Sequence, residues 1–183
     1  MSSHEYKTHS LMIDDLVIAD EKLTDLIKEI ADQYLKNDRA WVVGFSGGKD
    51  STVILSLIFQ ALTTLTKKQL SKNVYVVCSD TLVETPVVVG LVREVLNSVQ
   101  ISANAKGIPL VTQMVVPDTN NTFWSNLLGK GYPAPTKGFR WCTERMKIKP
   151  VTAFIQETVS KHGEVIVALG SRKEESSARS ASI

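Results

Sequence analysis

The chain has 183 residues, 43% of them hydrophobic and 22% charged, with a formal net charge of +2. That length suits one ordinary domain burying roughly two thirds of its unfolded surface, and so balanced a charge excludes nucleic-acid binding by bulk composition, leaving any polynucleotide contact to a local patch. No run of about 18 apolar residues is present and the first residues lack the apolar stretch of a signal peptide, so a cytoplasmic protein with no membrane partner is expected. Cys78 and Cys142 are the only cysteines, one in an apolar run and one in a polar, arginine-rich stretch; a disulfide framework is not expected.

Residues 1–19 mix polar and apolar side chains without a sustained period and read as an N-terminal arm, with a short helix near Leu16; residues 20–183 read as a single domain. From Asp20 to Lys36, apolar Leu23, Leu26, Ile27, Ile30, Ala31, Tyr34 and Leu35 recur at steps of three and four, the signature of an amphipathic helix. Trp41 to Phe45 is β-branched and aromatic with no charge, as a strand buried on both faces of a parallel sheet must be. Gly47 and Gly48 then force a tight turn, two adjacent residues without β-carbons letting the backbone enter left-handed conformations and approach a ligand closely, and Ser51 and Thr52 begin a helix reaching Leu62. Main-chain N–H groups, the positive end of the helix dipole and Lys49 thereby converge on an anion site suited to nucleotide phosphates.

Two better-known glycine loops do not fit this stretch. The G-x-x-x-x-G-K-[ST] loop needs glycine at Val43 and a hydroxyl at Asp50, and G-x-G-x-x-G cannot be assembled from Gly44, Gly47 and Gly48.

Val74 to Cys78 is a second buried strand, followed by the polar turn Ser79-Asp80-Thr81. Pro86 to Lys106 presents Val88, Leu91, Val92, Val95, Leu96 and Val99 on one side and reads as helix despite its many valines. Leu110 to Val116 is a third strand, Val151 to Lys161 a helix after a stop at Pro150, and Glu164 to Leu169 a fourth strand closing on Gly170. Helices alternating with apolar strands predict an α/β fold with a parallel sheet, and ligands in such sheets bind at the carboxyl edge where strand order reverses.

Between Pro117 and Pro150 hydrophobic period fades, and the segment reads as a long functional loop inserted in the domain. Its cations Lys130, Lys137, Arg140, Arg145, Lys147 and Lys149 outnumber the acids, and Phe123, Trp124, Tyr132, Phe139 and Trp141 are interleaved with them. Bases stacked on those rings would make this a DNA surface; a structured cover over the sheet edge with snorkelling basic chains explains the composition equally well. After the last strand, Arg172 and Arg179 stand where they would reach anionic groups at the same edge.

Ser46-Gly47-Gly48-Lys49-Asp50-Ser51 resembles the pyrophosphate-binding loop, or PP-loop, of the adenine nucleotide alpha-hydrolase-like superfamily, which includes ATP pyrophosphatases, tRNA and argininosuccinate ligases and the sulfonucleotide reductases. The pattern G-x-R-x-x-E-S-x-x-R, here Gly170, Arg172, Glu175, Ser176 and Arg179, resembles the second signature of the phosphoadenosine phosphosulfate (PAPS) reductase branch. Within that branch, Phe123-Trp124, Gly129 to Thr136 and Arg140 to Ile148, with Ser79-Asp80-Thr81 and Glu84-Thr85-Pro86, are similar to DndC-type proteins of bacterial DNA phosphorothioation. The resemblance, from about Asp14 onward, implies a Rossmann-like (HUP-type) sheet flanked by helices. It also implies an ATP pyrophosphatase that adenylates a DNA backbone phosphate, so that sulfur from a cysteine desulfurase replaces a non-bridging oxygen, in company with other Dnd-type modification proteins.

On this resemblance, backbone N–H groups from Ser46 to Ser51, the hydroxyls of Ser46 and Ser51, and Thr52 and Gly170 hold ATP, and Lys49 offsets charge as pyrophosphate departs. Asp50 and Asp80 are candidates for Mg²⁺, a carboxylate among phosphates being repelled unless it binds metal or the loop backbone, and Asp80 and Thr81 flank the nucleotide. Arg172 and Arg179 hold the acceptor phosphate or the α-phosphate, and Arg140, Arg145 and Lys147 contact DNA. Longer members bind a [4Fe–4S] cluster, which needs about four thiolates; this chain has two cysteines, so a domain truncated at its C-terminus is expected, with cluster ligands beyond Ile183. Cys142 is a candidate ligand or sulfur carrier, a bystander role being the bland alternative. Two rivals remain open: a sulfonucleotide reductase, which would need a reactive cysteine in a C-terminal tail, and a non-catalytic nucleotide-binding scaffold in a larger complex.

Overall fold

A computed structural model describes residues 21–171 of the chain. The arm at 1–19 with its helix near Leu16, and Arg172, Glu175, Ser176 and Arg179 of the second signature, lie outside the described residues.

Helix α1 (Glu21–Leu35) runs along α2 (Lys49–Thr63) and ends by planting Tyr34 in the core. The buried Tyr34 ring meets Trp41 edge-on with centroids 5.8 Å apart, and its hydroxyl donates to the Lys72 carbonyl at 2.7 Å. Strands β1 (Ala40–Gly44), β2 (Val74–Ser79), β3 (Leu110–Val115) and β4 (Val165–Leu169) form one parallel sheet in the order β3-β2-β1-β4. The chain steps outward from β1 through β2 to β3 and then returns to the far side of β1, so the order reverses between β1 and β4. Register is set by Trp41 opposite both Val74 and Ile166. The pairing continues past the strand ends, Phe45 N–H donating to the Val77 carbonyl at 2.8 Å and Asp80 N–H to the Val115 carbonyl at 2.9 Å. The backbone is therefore fixed up to the start of each loop at the carboxyl edge.

Alternation sorts the strands into two faces. Trp41, Val43, Phe45, Val74, Val76 and Cys78 point into a core closed by Leu55, Ile58, Phe59 and Leu62 of α2 and by Val92, Leu96, Val99 and Ala103 of α3 (Pro86–Lys106). Each fully buried large side chain there contributes about 1.5–3 kcal/mol. The opposite face is covered by α5 (Lys149–His162), whose Phe154 meets the Tyr75 ring edge-on at 5.8 Å while Tyr75 hydroxyl and His162 Nε2 share a hydrogen bond of 2.9 Å. Cover on this face thins toward the outer strands, where Leu169 is 64% exposed. No helix among the described residues is long and apolar enough to cross a membrane.

Three expectations need correction. In α3 the expected stripe holds only from Val92 onward: Val92, Leu96 and Val99 are buried and Val95 packs against the core, but Val88 and Leu91 are exposed. Val92 lies against Gly47, beyond the end of β1, so the residues before it stand past the sheet edge with no strand beneath them. Pro150 does not stop a helix but sits in the first turn of α5. That helix continues directly from a short turn α4 (Trp141–Thr143) through a widened π turn, Glu144–Ile148. A proline near a helix start forfeits an N–H that needs no partner there, and the widening, in which Lys149 N–H donates to the Glu144 carbonyl, accommodates its ring. The segment 117–150 is consequently no single loop. It holds a 3₁₀ turn (Thr119–Asn121), a π turn (Ser125–Gly129) and the α4 to α5 run, elements too short to show a hydrophobic period.

Candidate functional site

Ser46, Gly47 and Gly48 join β1 to α2 at the reversal of strand order. The left-handed bend belongs to Gly47 alone (φ +74°); Gly48 is extended at φ −81°, ψ 160° and caps a helix that begins at Lys49, earlier than Ser51. Gly47 is required twice over, since a β-carbon would be strained at that φ and would also lie 2.7 Å from Val92 Cγ2. A β-carbon on Gly48 would meet only Ser46 Oγ, at 3.5 Å. No side chain caps α2, and the first helical bond is Thr52 N–H to the Gly48 carbonyl at 3.0 Å. The N–H groups of the first turn thus face outward at the positive end of the helix dipole, as an anion site requires.

The loop is braced from inside by Ser51, which is buried. Its hydroxyl donates to the Gly48 carbonyl at 2.9 Å, accepts the Ser46 N–H at 3.2 Å and lies 3.1 Å from the Ser46 hydroxyl. Thr52 Oγ1 also donates to Gly48 O at 2.9 Å. Lys49 is exposed and Asp50 half-buried, the carboxylate in the first turn complementing the dipole. From the far side Gly170, directly after β4, packs backbone to backbone on the Asp50–Ser51 peptide.

Gly44 is paired with Val77, which sets Asp80 level with Gly47 on the neighbouring strand. Asp80 is 4% exposed; Oδ1 accepts the Leu82 N–H at 2.9 Å and Oδ2 pairs with Arg93 at 3.4 Å. The turn holds Leu82 in left-handed backbone at φ 61°, a conformation costly for leucine and typical of functional loops. Thr81 beside it is 2% exposed, and its hydroxyl has no partner among the described residues. Such a group calls for a ligand or an ordered water.

The inserted segment is held together by its own rings. Trp141 is buried, stacks on Phe123 at 5.5 Å, meets Tyr132 edge-on at 5.5 Å and donates its indole N–H to the Pro133 carbonyl at 3.0 Å. Of the two readings the composition left open, Phe123, Tyr132 and Trp141 follow the structured cover by packing on one another, while Trp124 and Phe139 are exposed. Arg145 lies 4.9 Å over the Tyr132 ring and donates at 2.7 Å to both the Tyr132 hydroxyl and the Asn121 amide oxygen. Lys147 pairs with Glu84 at 3.5 Å, Arg140 is exposed and Cys142 partly so. Sequence reasoning missed Arg93 and Leu82, and placed Ser79 in a polar turn without its contact: the Ser79 hydroxyl donates to the Met146 carbonyl at 2.7 Å, at which only Pro150, unable to supply that carbonyl with an α-helical N–H, hinted.

The residues present do not fit an iron–sulfur cluster. Cys78 is enclosed in the core, where burial, with Glu84 and Asp80 nearby, pushes its thiol up to about 11. Among the described residues no three His, Cys, Asp or Glu side chains gather to hold a metal ion. Each Asp80 oxygen already accepts one hydrogen bond, from Leu82 and from Arg93.

A parallel α/β sheet with a bent glycine turn feeding an open helix N-terminus at its switch point defines a phosphate-binding domain of the doubly wound class. Residues 40–182 match the phosphoadenosine phosphosulfate reductase domain, and the chain belongs to that family. It is 32% identical over 168 residues to the uncharacterized protein MJ0066 of Methanocaldococcus jannaschii, covering 89% of this chain and 30% of that protein. Among solved structures it is similar to the U34-tRNA thiolase NcsA from Methanococcus maripaludis with its [4Fe–4S] cluster, at 17% identity and a TM-score of 0.48, over 84% of this chain and 47% of that one. The chain thus spans about a third of the curated relative and about half of the solved one.

Proposed function

We propose that this domain binds ATP through its triphosphate and splits it between the α- and β-phosphates, adenylating a DNA backbone phosphate for sulfur insertion. The observation carrying the reading is the Gly47 to Lys49 turn, a left-handed bend and an uncapped helix start aimed at the sheet's switch point; membership of a sulfonucleotide-handling family agrees with it. A non-bridging oxygen of the acceptor attacks the α-phosphorus, the bond to the β-phosphate oxygen breaks, and pyrophosphate leaves with its electron pair. Catalysis of this kind is positioning and charge stabilisation.

In this scheme the Lys49 to Ser51 amides and Ser46 receive the β- and γ-phosphates and Lys49 offsets the charge of departing pyrophosphate. Ser51 and Thr52 keep the loop in shape through Gly48, Gly170 sets the height of the helix start, and Asp80 and Thr81 border the nucleotide. Arg172 and Arg179 serve the α-phosphate or the acceptor. Arg140 and Lys147 approach DNA, with Arg145 supporting them from within its ring cluster. The sulfur donor is a cysteine desulfurase.

The test is pyrophosphate release from ATP in the complete polypeptide with DNA, its partners and the sulfur donor. Lys49→Ala and Asp50→Ala are expected to abolish release, about a hundredfold or more for a charge-stabilising group; unchanged release removes the assignment. The family match also favours a second reading, a sulfonucleotide reductase using the same pocket. Sulfite formed from adenylyl sulfate and thioredoxin, with no DNA-dependent pyrophosphate, decides for it.

A further inference from the structure

The α4 to α5 run is attached to the carboxyl edge of the sheet through a polar contact to a main-chain carbonyl of its widened turn. An α-helix would satisfy the Met146 carbonyl with the N–H of residue 150, but that residue is proline and has none. The π turn sends the Lys149 N–H to Glu144 instead. Met146 is buried, and Ser79, the last residue of β2, donates its hydroxyl to the Met146 carbonyl at 2.7 Å. Ser79 directly precedes Asp80 and Thr81. Lys147 reaches back to Glu84 just beyond the same turn at 3.5 Å. The β2 end is thus tied at adjacent positions to the turn that bears Arg140 and Cys142, Cys142 standing about one helical turn before Met146.

We propose that Ser79 is a positioning residue which, through the Met146 carbonyl that Pro150 cannot serve as an α-helical donor, fixes the Trp141–Ile148 turn over the nucleotide edge and so sets where the acceptor-side groups Arg140 and Cys142 stand. It rests on the ATP reading above for what lies at that edge, but the tether itself is read without nucleotide. Removal of the hydroxyl frees the turn locally while the sheet beneath keeps its packing. Threonine at 79 retains a donor at the same place, and alanine does not.

The two cysteines separate a local effect from a global one. Cys78 neighbours Ser79 but is buried with its thiol held protonated, whereas Cys142 is partly exposed on the tethered turn. Alkylation of wild type, Ser79→Ala and Ser79→Thr by iodoacetamide, followed per cysteine by peptide mass spectrometry, reads both. In Ser79→Ala, Cys142 is expected to react about fivefold faster with Cys78 unchanged, as local opening without global unfolding requires, and Ser79→Thr to restore the wild-type rate. Affinity for a nonhydrolysable ATP analogue should stay within about twofold of wild type, as for a group with no direct phosphate contact. An unchanged Cys142 rate, or Cys78 and Cys142 accelerating together, overturns the assignment. Failure of wild type to bind the analogue counts against the ATP reading alone, since the ratio of the two alkylation rates still decides the tether.

Discussion

Gly170 and Asp50 touch backbone to backbone: a β-carbon on Gly170 would lie 2.5 Å from the Asp50 carbonyl oxygen and 3.0 Å from the Ser51 nitrogen. The end of β4 therefore sets the height of the first turn of α2, the turn whose amides face outward. Gly170→Ala must push that turn away, because the opposing atoms are main chain and cannot swing aside. Overpacking of this kind costs about 1–3 kcal/mol, and the displaced amides should weaken binding of an ATP analogue by about tenfold or more. Calorimetric titration and thermal unfolding of the variant check both.

The two loop glycines should separate stability from binding. Gly47→Ala meets positive φ and Val92 Cγ2 at 2.7 Å, so about 1–2 kcal/mol of stability is expected to go. Gly48→Ala meets neither, its φ being −81° and its nearest neighbour Ser46 Oγ at 3.5 Å. Its stability should stay within about 0.5 kcal/mol of wild type while pyrophosphate affinity falls, because the added methyl stands beside the outward amides. Equal affinity in wild type and Gly48→Ala would place the phosphates elsewhere.

The contrast between these glycines shows what the sequence can disclose. Adjacent glycines after an apolar run announced a turn, since few other reasons put them there, but the division of labour between them depends on Val92, far along the chain. The limits of α3 were legible from punctuation: Pro86 opens it and Gly107, at φ 68°, ends it in left-handed backbone. The buried side of α3 was legible from Val92 onward, in Val92, Val95, Leu96 and Val99; that Val88 and Leu91 on the same side stay exposed was not, because the sheet stops short of the first turns. The contacts of Arg93 and Ser79 were not legible either, their partners Asp80 and Met146 being brought to them by the fold. In the inserted segment composition left base stacking and a structured cover equally open, because composition does not reveal whether rings will face a ligand or one another.

Arg145 offers a test of that last distinction. Its guanidinium serves Tyr132 and Asn121 at once, at 2.7 Å each, with the Tyr132 ring beneath it. Arg145→Ala is expected to cost about 2–3 kcal/mol in urea unfolding, the range for a charge-assisted bond lost with its partners left behind, and to weaken the near-ultraviolet dichroism of the Trp141 cluster. Arg145→Lys should recover only part, since an ammonium lacks the planar fork that reaches both partners. Full stability in Arg145→Ala with reduced DNA affinity would instead make it a direct contact.

Cys78 makes an alkaline prediction with a definite sign. Its thiol is raised from 9.0 to about 11, first by burial and then by Glu84 and Asp80. Below pH 9 both the folded and unfolded thiols are protonated and the group is neutral to stability; as pH rises from about 9 toward 11 the unfolded chain releases the proton first, so stability falls, by up to about 1.4 kcal/mol per pH unit. Tyr34, raised by burial, acts in the same direction, and Lys72, lowered by burial, in the opposite one, so the wild-type curve alone does not isolate the thiol. The difference between wild type and Cys78→Ala does, because neither of those groups changes in the pair. Urea unfolding under reductant at pH 8 and pH 10.5 should show Cys78→Ala less stable at the lower pH, by about 1 kcal/mol for a lost core sulfur, and the gap narrowing or reversing at the higher one. A gap that stays constant between the two pH values would mean that the thiolate is accommodated in the folded core, through an opening of β2 beside Ser79 that the packing of Val76 and Val77 does not otherwise suggest.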